Sequence, residues 1–175
     1  FTNNELLTLF EHSIAQMPTP EEPQRLYAPI KYGLEVGGKR IRPTLLMLAY
    51  NLYAEDIERA ILPAMAVEIF HNFTLLHDDI MDNAAMRRGR PSVPAKRGNN
   101  VAILSGDAML ILAYNHLQRT NTDQLAKIFE TFNKMAAEVC EGQQFDMDFE
   151  TQQKVSVVDY MQMIELKTAA LLAGS

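Results

Sequence analysis

The sequence predicts an all-α protein. Apolar residues recur at helical spacing through most of the chain, and no stretch shows the period-two alternation of a strand. Segments 61–76 and 101–114 are apolar on more than one face, which places them inside a bundle or at a subunit interface. With 175 residues, 47% of them hydrophobic, the chain can form one domain with a substantial core. We therefore predict a single helical domain over residues 1–175 that forms oligomers.

Proline and glycine divide this pattern into separate helices. Pro18, Pro20 and Pro23 end the first helix. The pair Gly37-Gly38 ends the second, and Pro43 lies near the first turn of the third. The expected helices are 2–16, a segment around Leu26–Leu34, 41–53, 55–82 with a kink or restart at Pro63, 101–118, 122–146 and 156–173, with a loop at 83–99.

The charge pattern favours local anion sites. A formal net charge of −6 argues against a general nucleic-acid-binding protein, which is normally basic. The basic residues nevertheless gather in two places. The first basic cluster is Lys39, Arg40 and Arg42, and the second is Arg87, Arg88, Arg90, Lys96 and Arg97.

The remaining composition indicates a soluble, cytoplasmic protein. A single cysteine, Cys140, excludes an internal disulfide, fits a reducing compartment and is expected to fill the core. Glu5 and Glu11 interrupt any signal peptide in residues 1–17. The longest apolar run, Val101 to Tyr114, is broken by polar residues, so we expect no membrane span.

Three aspartates stand at the end of a long apolar helix. Helical spacing aligns Asp78 with Asp82 and puts Asp79 beside them, while His71 lies two turns earlier on the same face. Like charges at this spacing weaken a helix by roughly 0.2–0.5 kcal/mol per pair, so the cluster needs a reason. Oxygen ligands without a nearby cysteine suit Mg2+ or Mn2+. A solvated acidic helix end is the alternative.

Each basic cluster contains a candidate anion site. Arg87 and Arg88 lie in a loop rich in glycine and proline, and their guanidinium groups match phosphate oxygens. Gly37-Gly38 allows close approach of the backbone ahead of a helix N-terminus, with Lys39 and Arg42 three residues apart. The alternatives are ordinary loop solvation and a helix C-cap followed by solvated charges.

Six motifs in order carry a family resemblance. The chain resembles the head-to-tail trans-isoprenyl diphosphate synthases, the farnesyl and geranylgeranyl diphosphate synthase family, over essentially its whole length. The motifs are Gly37-Gly-Lys-Arg-Ile-Arg-Pro43, His71-Asn-Phe-Thr-Leu-Leu-His-Asp-Asp-Ile-Met-Asp82, Arg87-Arg-Gly-Arg-Pro91, Ile103-Leu-Ser-Gly-Asp107, Gly142-Gln-Gln-Phe-Asp146 and Lys167-Thr-Ala-Ala-Leu-Leu172.

The resemblance implies a helical bundle around a central cavity, usually a homodimer. It also implies that isopentenyl diphosphate condenses with an allylic diphosphate. Both chain ends look cut, and the family's second aspartate-rich motif does not occur before Ser175. We therefore expect an N-terminal portion that is inactive by itself. Pro94 stands where the family usually has histidine, so the loop after Arg90 is expected to differ.

Residue roles follow from the same resemblance. Asp78 and Asp82 would bind the metal with support from Asp79, and Asp107 would be structural. The other roles are Lys39, Arg42, His71 and Arg88 for isopentenyl diphosphate; Arg87, Gln143 and Asp146 for the allylic substrate; and Lys167 and Thr168 for its diphosphate and the developing cation.

The aspartate helix would also line the cavity for the growing chain. Phe70, Phe73, Leu75 and Leu76 offer an apolar wall that keeps water from a carbocation. Phe73 lies roughly 7.5 Å along the helix from Asp78, where the resemblance implies a pocket floor. Thr74 beside it is smaller than the second aromatic residue of some farnesyl synthases, so the resemblance implies a product of fifteen to twenty carbons, with twenty favoured.

Two other functions fit part of the pattern. A non-catalytic subunit of a heteromeric prenyl synthase would share the fold, but it need not retain Asp78, Asp79 and Asp82. A class I terpene cyclase also binds a magnesium diphosphate. Such a cyclase has one diphosphate substrate, whereas Lys39 and Arg42 suggest a second.

Overall fold

A computed structural model describes all residues 1–175 as two units, 1–120 and 121–175, which are treated separately below. The first unit contains α1 (Asn3–Ala15), α2 (Gln24–Glu35), α3 (Ile41–Asn51), α4 (Glu58–Met81), β1 (Met86–Arg87), β2 (Arg90–Pro91), α5 (Val93–Arg97) and α6 (Asn99–Gln118). The second contains α7 (Leu125–Thr151), α8 (Val157–Ile164), a π-helical segment (Glu165–Ala169) and α9 (Ala170–Ala173). The all-α prediction is confirmed.

Helices α4 and α6 form the centre of the first unit. Ile69 and Phe70 of α4 and Met109 and Ala113 of α6 are almost completely buried. Burial of a large apolar side chain contributes about 1.5–3 kcal/mol, so this contact stabilises the unit strongly. The same contact fixes the direction of α4, whose last turn carries the aspartates.

The boundaries of the helices follow local sequence signals. Thr2 and Glu5 form a reciprocal capping box at the start of α1, and Ser156 caps α8. Gly37, at φ 77°, ends α2 as predicted, because glycine adopts left-handed backbone without a Cβ clash.

The structure corrects the sequence reading at three places. Helix α4 begins at Glu58 and contains Pro63 within it, so the helix does not restart at this proline. Residues 83–99 are more than a loop, since they contain the β1–β2 hairpin and α5. The final helical stretch contains the π-helical segment Glu165–Ala169, for which the sequence has no periodic signal.

Of two further expectations, the one about Cys140 is wrong and the one about a membrane span stays a prediction. Cys140 is exposed and does not fill the core. Helix α4 is long and apolar enough to cross a membrane when judged by length and composition alone, with a mean hydropathy of 1.2 over 18 residues. Because 56% of that window is buried within the protein, and core helices pass the same test, the criterion says little here.

Candidate active site

A basic cleft of about 460 Å³ lies between the α2–α3 loop and α4. It brings together Lys39, Arg42, His71 and Arg88, the four residues assigned to one substrate by resemblance. Gly38, Arg40, Ile41 and Glu68 complete its lining. Residues separated by up to 49 positions (88 − 39) therefore meet at one concave surface.

His71 and Arg42 form the inner part of this cleft. Arg42 Nη1 lies 3.3 Å from His71 Nε2, and since a guanidinium only donates, that nitrogen accepts. Burial, followed by the charges of Arg42 and Arg88, lowers the pKa of His71 to about 3, so its ring is neutral. Burial also lowers the pKa of Arg42, and its buried Nε has no hydrogen-bond partner. An anion in the cleft would satisfy that donor.

Arg40 has a different role from its two basic neighbours. Its side chain is only 3% exposed and donates to Glu68 at 2.6 Å, to Glu11 at 3.0 Å and to the Leu34 carbonyl at 2.8 Å. Burial lowers the pKa of Arg40, but Glu68 and Glu11 outweigh this, so the pKa is raised. Its backbone is left-handed, with φ 48°. Arg40 therefore anchors the loop, and sequence reasoning missed this role.

The aspartates at the end of α4 are joined to Arg87. Arg87 Nε donates to Asp79 Oδ1 at 2.8 Å, and its Nη2 lies 3.3 Å from Asp78 Oδ2. The pKa of Asp79 is raised, because its burial outweighs the opposing effect of Arg87. The pKa of Arg87 is also raised, because Asp79 and Asp78 outweigh the effect of its burial. Asp82, one turn after Asp78, is exposed.

The aspartate end suits a hard cation only together with further oxygen ligands. No group of three or more His, Cys, Asp or Glu side chains in the chain is placed to hold a metal ion. Asp78 and Asp82 offer carboxylate oxygens from adjacent helical turns. Mg2+ typically takes one or two carboxylates and completes its shell with water and phosphate oxygens, so this donor set fits that ion.

The predicted chain-length residues lie in the upstream turns of α4. Phe73 contacts Phe70 and His77, with ring centroids 5.5 and 4.7 Å apart. Thr74 donates to the carbonyl of His71 at 2.8 Å. The predicted apolar wall is split, because Leu75 and Leu76 line a separate cavity of about 30 Å³ while Phe70 is buried in the core.

Gly106 of α6 allows His77 of α4 to approach closely. A Cβ on Gly106 would stand 2.3 Å from His77 Nε2, so only glycine leaves room for this ring. Asp107 is exposed and lies 3.9 Å from the same nitrogen. Neither residue lines the basic cleft.

The second unit holds the other predicted site residues. Lys167 Nζ donates to Asp146 Oδ2 at 2.5 Å, so the structure pairs two of them directly. Gln143 is half-buried on α7, and Thr168 is exposed on the π-helical segment. Lys167 also lies on that segment, and π-helical turns are common at functional sites.

Comparison with known proteins identifies the class. The family model described as polyprenyl synthetase matches residues 23–175, and the chain belongs to this family. The motifs quoted above lie within the matched range.

The individual relatives are prenyl diphosphate synthases. The chain is 41% identical over 155 residues to a geranylgeranyl diphosphate synthase of Methanosarcina mazei, covering 87% of this chain and 48% of that protein. It is 40% identical over 176 residues to a short chain isoprenyl diphosphate synthase of Methanocaldococcus jannaschii, covering 97% and 54%. The chain thus spans about half the length of the curated relatives it matches.

Solved structures give the same result. A crystal structure of a geranylgeranyl pyrophosphate synthase superposes with a TM-score of 0.93 at 46% identity, covering 99% of this chain and 55% of the other. The geranylgeranyl pyrophosphate synthetase of Geoglobus acetivorans gives 0.92 at 35% identity, covering 96% and 56%. The isoprenoid synthase fold predicted from the sequence is confirmed.

Proposed function

We propose that this chain is the N-terminal part of a trans-prenyltransferase that condenses isopentenyl diphosphate with an allylic diphosphate. One observation carries the proposal. The neighbouring residues Arg87 and Arg88 serve two different sites, since Arg87 contacts the aspartates while Arg88 lines the basic cleft. Two anion-binding places beside each other are what a reaction between two diphosphates requires.

The basic cleft binds isopentenyl diphosphate in this proposal. Lys39, Arg42 and Arg88 supply positive charge, and the neutral ring of His71 donates through Nδ1 because Nε2 accepts from Arg42. The cleft needs no metal, since Glu68 is its only carboxylate and already pairs with Arg40.

The aspartate end binds the allylic diphosphate. Asp78 and Asp82 would hold Mg2+, or Mn2+, and the bound metal supplies positive charge to the diphosphate as it departs. Arg87 is in place to contact the same group once the substrate arrives, and Asp79 orients Arg87.

The chemistry is an ionisation followed by an addition. The allylic carbon–oxygen bond breaks, the double bond of isopentenyl diphosphate attacks the resulting allylic cation, and the released diphosphate takes the proton that is lost. Gln143, Asp146, Lys167 and Thr168 of the second unit are proposed to face the allylic group. Water must be excluded throughout, because it would trap the cation.

The decisive assay uses the full-length protein that contains this segment. Isopentenyl diphosphate, Mg2+ and each allylic primer are supplied in turn, and the lipid products are separated by chain length. We expect condensation with at least one primer and little or no turnover by residues 1–175 alone. A full-length protein that condenses no primer would contradict the proposal and favour the non-catalytic subunit.

The proposed product has fifteen to twenty carbons, with Phe73 as the floor of the pocket. Phe73 packs against His77, directly before Asp78. The variant Phe73→Ala removes that ring and should lengthen the product, while Phe149→Ala on α7 is a control for aromatic loss. If Phe73→Ala left the product distribution unchanged, Phe73 would not be the floor of the pocket.

We also propose that the protein is a homodimer in the cytoplasm. Leu104 and Ile111 are two turns apart on α6 and are 59% and 62% exposed. An exposed apolar stripe on a long helix is typical of a subunit contact. The double variant L104E/I111E should be monomeric by analytical ultracentrifugation, and a dimer that persists would place the contact elsewhere.

A further inference from the structure

Gly38 and Arg88 come unusually close in the basic cleft. A Cβ at position 38 would lie 2.6 Å from Arg88 Nη1, 2.8 Å from its Cζ and 3.0 Å from its Nη2. Approaches below 3.0 Å are sterically forbidden for a real Cβ. The guanidinium group of Arg88 therefore fills the space that any side chain at position 38 would occupy.

The backbone on the Arg88 side is held in place. Arg88 and Gly89 have φ values of 51° and 76° and connect β1 to β2, which is the geometry of a two-residue type I′ turn. Tyr32 donates to the carbonyl of Pro91 at 2.8 Å, which ties this hairpin to α2. Only the far end of the Arg88 side chain is free to adjust.

The backbone on the Gly38 side is also held in place. Gly37 ends α2 in a left-handed conformation, and Gly38 itself has φ 154°. Two residues later, the buried pair of Arg40 with Glu68 fixes the loop to α4 at 2.6 Å. The loop therefore has little freedom to retreat from the hairpin.

We propose that Gly38 is a positioning residue that places the Arg88 guanidinium for the diphosphate of isopentenyl diphosphate. This inference rests on the proposed function of the cleft. Gly38 acts through its missing Cβ, which leaves room for the guanidinium of Arg88 beside the loop, in the cleft that Lys39 and His71 also line. Its role is separate from any contact between its own backbone and substrate.

We expect the variant Gly38→Ala to keep the fold and to bind isopentenyl diphosphate more weakly. The methyl group meets the end of a flexible side chain, so Arg88 swings away and the fold persists. A charge-assisted hydrogen bond contributes about 1.5–3 kcal/mol, which corresponds to a loss of affinity of about 10- to 150-fold.

Gly37→Ala is the matched control. Gly37 also has a positive φ, 77°, so alanine is strained at both positions, although φ 154° at Gly38 is a different backbone conformation. No atom lies within 4 Å of the place where its Cβ would stand. Isothermal titration of isopentenyl diphosphate into the 175-residue chain, without metal, should show weaker binding for Gly38→Ala and little change for Gly37→Ala.

A double-mutant cycle tests whether the effect passes through Arg88. In an Arg88→Gln background, Gly38→Ala should cause no further loss of affinity, because the group it displaces is absent.

In the full-length enzyme, Gly38→Ala should raise the KM for isopentenyl diphosphate and leave kcat and the allylic KM unchanged. Additive losses, or an equal effect of Gly37→Ala, would overturn the proposal.

A ligand-free measurement separates this inference from the proposed function. The Nε–H NMR signal of Arg88 should shift in Gly38→Ala and stay in place in Gly37→Ala, whatever the cleft binds. An Arg88 signal unchanged by Gly38→Ala rejects the positioning role. An Arg88 signal that shifts without any binding of isopentenyl diphosphate would instead reject the substrate assignment.

Discussion

The two regions of the first unit that are proposed to bind diphosphates differ in one respect. In the basic cleft the cationic side chains line an open space, whereas at the end of α4 the arginine is already paired with carboxylates. In the basic cleft, Lys39, Arg42 and Arg88 line an open space, and no carboxylate occupies it except Glu68, which binds Arg40. At the end of α4, Arg87 already neutralises Asp79 and contacts Asp78.

In the proposed function, this difference would give two modes of substrate binding. The cleft is preorganised, so a diphosphate entering it gains charge-assisted hydrogen bonds with little rearrangement. The aspartate end must exchange partners, because a metal that binds Asp78 competes with the guanidinium of Arg87. Under this proposal, the cleft that binds without metal is preorganised, whereas the aspartate end that would bind a metal has to rearrange.

The largest expected effect tests the metal-dependent site. Asp78→Ala removes a proposed metal ligand, and in the full-length enzyme it should lower kcat by about 100- to 1,000-fold, as loss of one electrostatic contact to a transition state does. Steady-state assays with varied Mg2+ measure it. Asp107→Ala, which removes an exposed carboxylate outside both sites, should retain activity. Equal losses in both variants would contradict a specific role for Asp78.

The next effect tests the preorganised cleft. Arg42→Met keeps the length of the side chain but removes a buried donor, so the KM for isopentenyl diphosphate should rise about 10- to 100-fold. The allylic KM should change little, because Arg42 lies in the other site. Lys31→Met, which removes an exposed cation paired with Glu35, is the control. If Arg42→Met changed the Kd for Mg2+ as much as the KM for isopentenyl diphosphate, the two regions would not be separate sites.

The third prediction concerns the neutral histidine of the cleft. The pKa of His71 is about 3 when folded and about 6.5 when unfolded, so the unfolded chain binds the extra proton first as the pH falls. Stability from this group is present above pH 6.5 and is lost progressively toward pH 3, by about 2 kcal/mol at pH 5. Urea unfolding should show a steeper loss of stability between pH 6.5 and pH 3 in the native chain than in His71→Asn, because His116, whose pKa is also lowered by burial, titrates in both.

The smallest effect tests the exchange of partners at the aspartate end. Arg87→Met removes the cation that competes for Asp78, so Mn2+ alone should bind about fivefold more tightly, corresponding to about 1 kcal/mol for a partly exposed ion pair. Electron paramagnetic resonance of free Mn2+ gives the affinity without any assay of turnover. Arg88→Met, a change of the same size in the basic cleft, should not alter it. Weaker Mn2+ binding in Arg87→Met would show that the arginine supports the metal site.

Much of the fold could be predicted from the sequence because its helices are long and amphipathic or wholly apolar. The hairpin at Met86–Pro91 could not, since strands of two residues are too short to show alternation. The π-helical segment at Glu165–Ala169 likewise leaves no periodic trace.

The sequence predicted which residues would line the basic cleft, but it did not predict how they are arranged. The family motifs named Lys39, Arg42, His71 and Arg88, and the structure places these four together. Spacing alone could not separate Arg40 from its basic neighbours, because its left-handed backbone turns the side chain into the interior toward Glu68. The pairing of Arg87 with Asp79 also depends on the hairpin, which the sequence did not reveal.

The β1–β2 hairpin places Arg87 and Arg88 on one short, tightly turned ribbon. A substrate that shifted the backbone of this hairpin through Arg87 would also shift Arg88, because one peptide bond joins the two residues. Binding at the two sites would then be thermodynamically linked, and the linkage would be reciprocal. A factor by which the allylic substrate changes the affinity for isopentenyl diphosphate must equal the factor in the opposite direction.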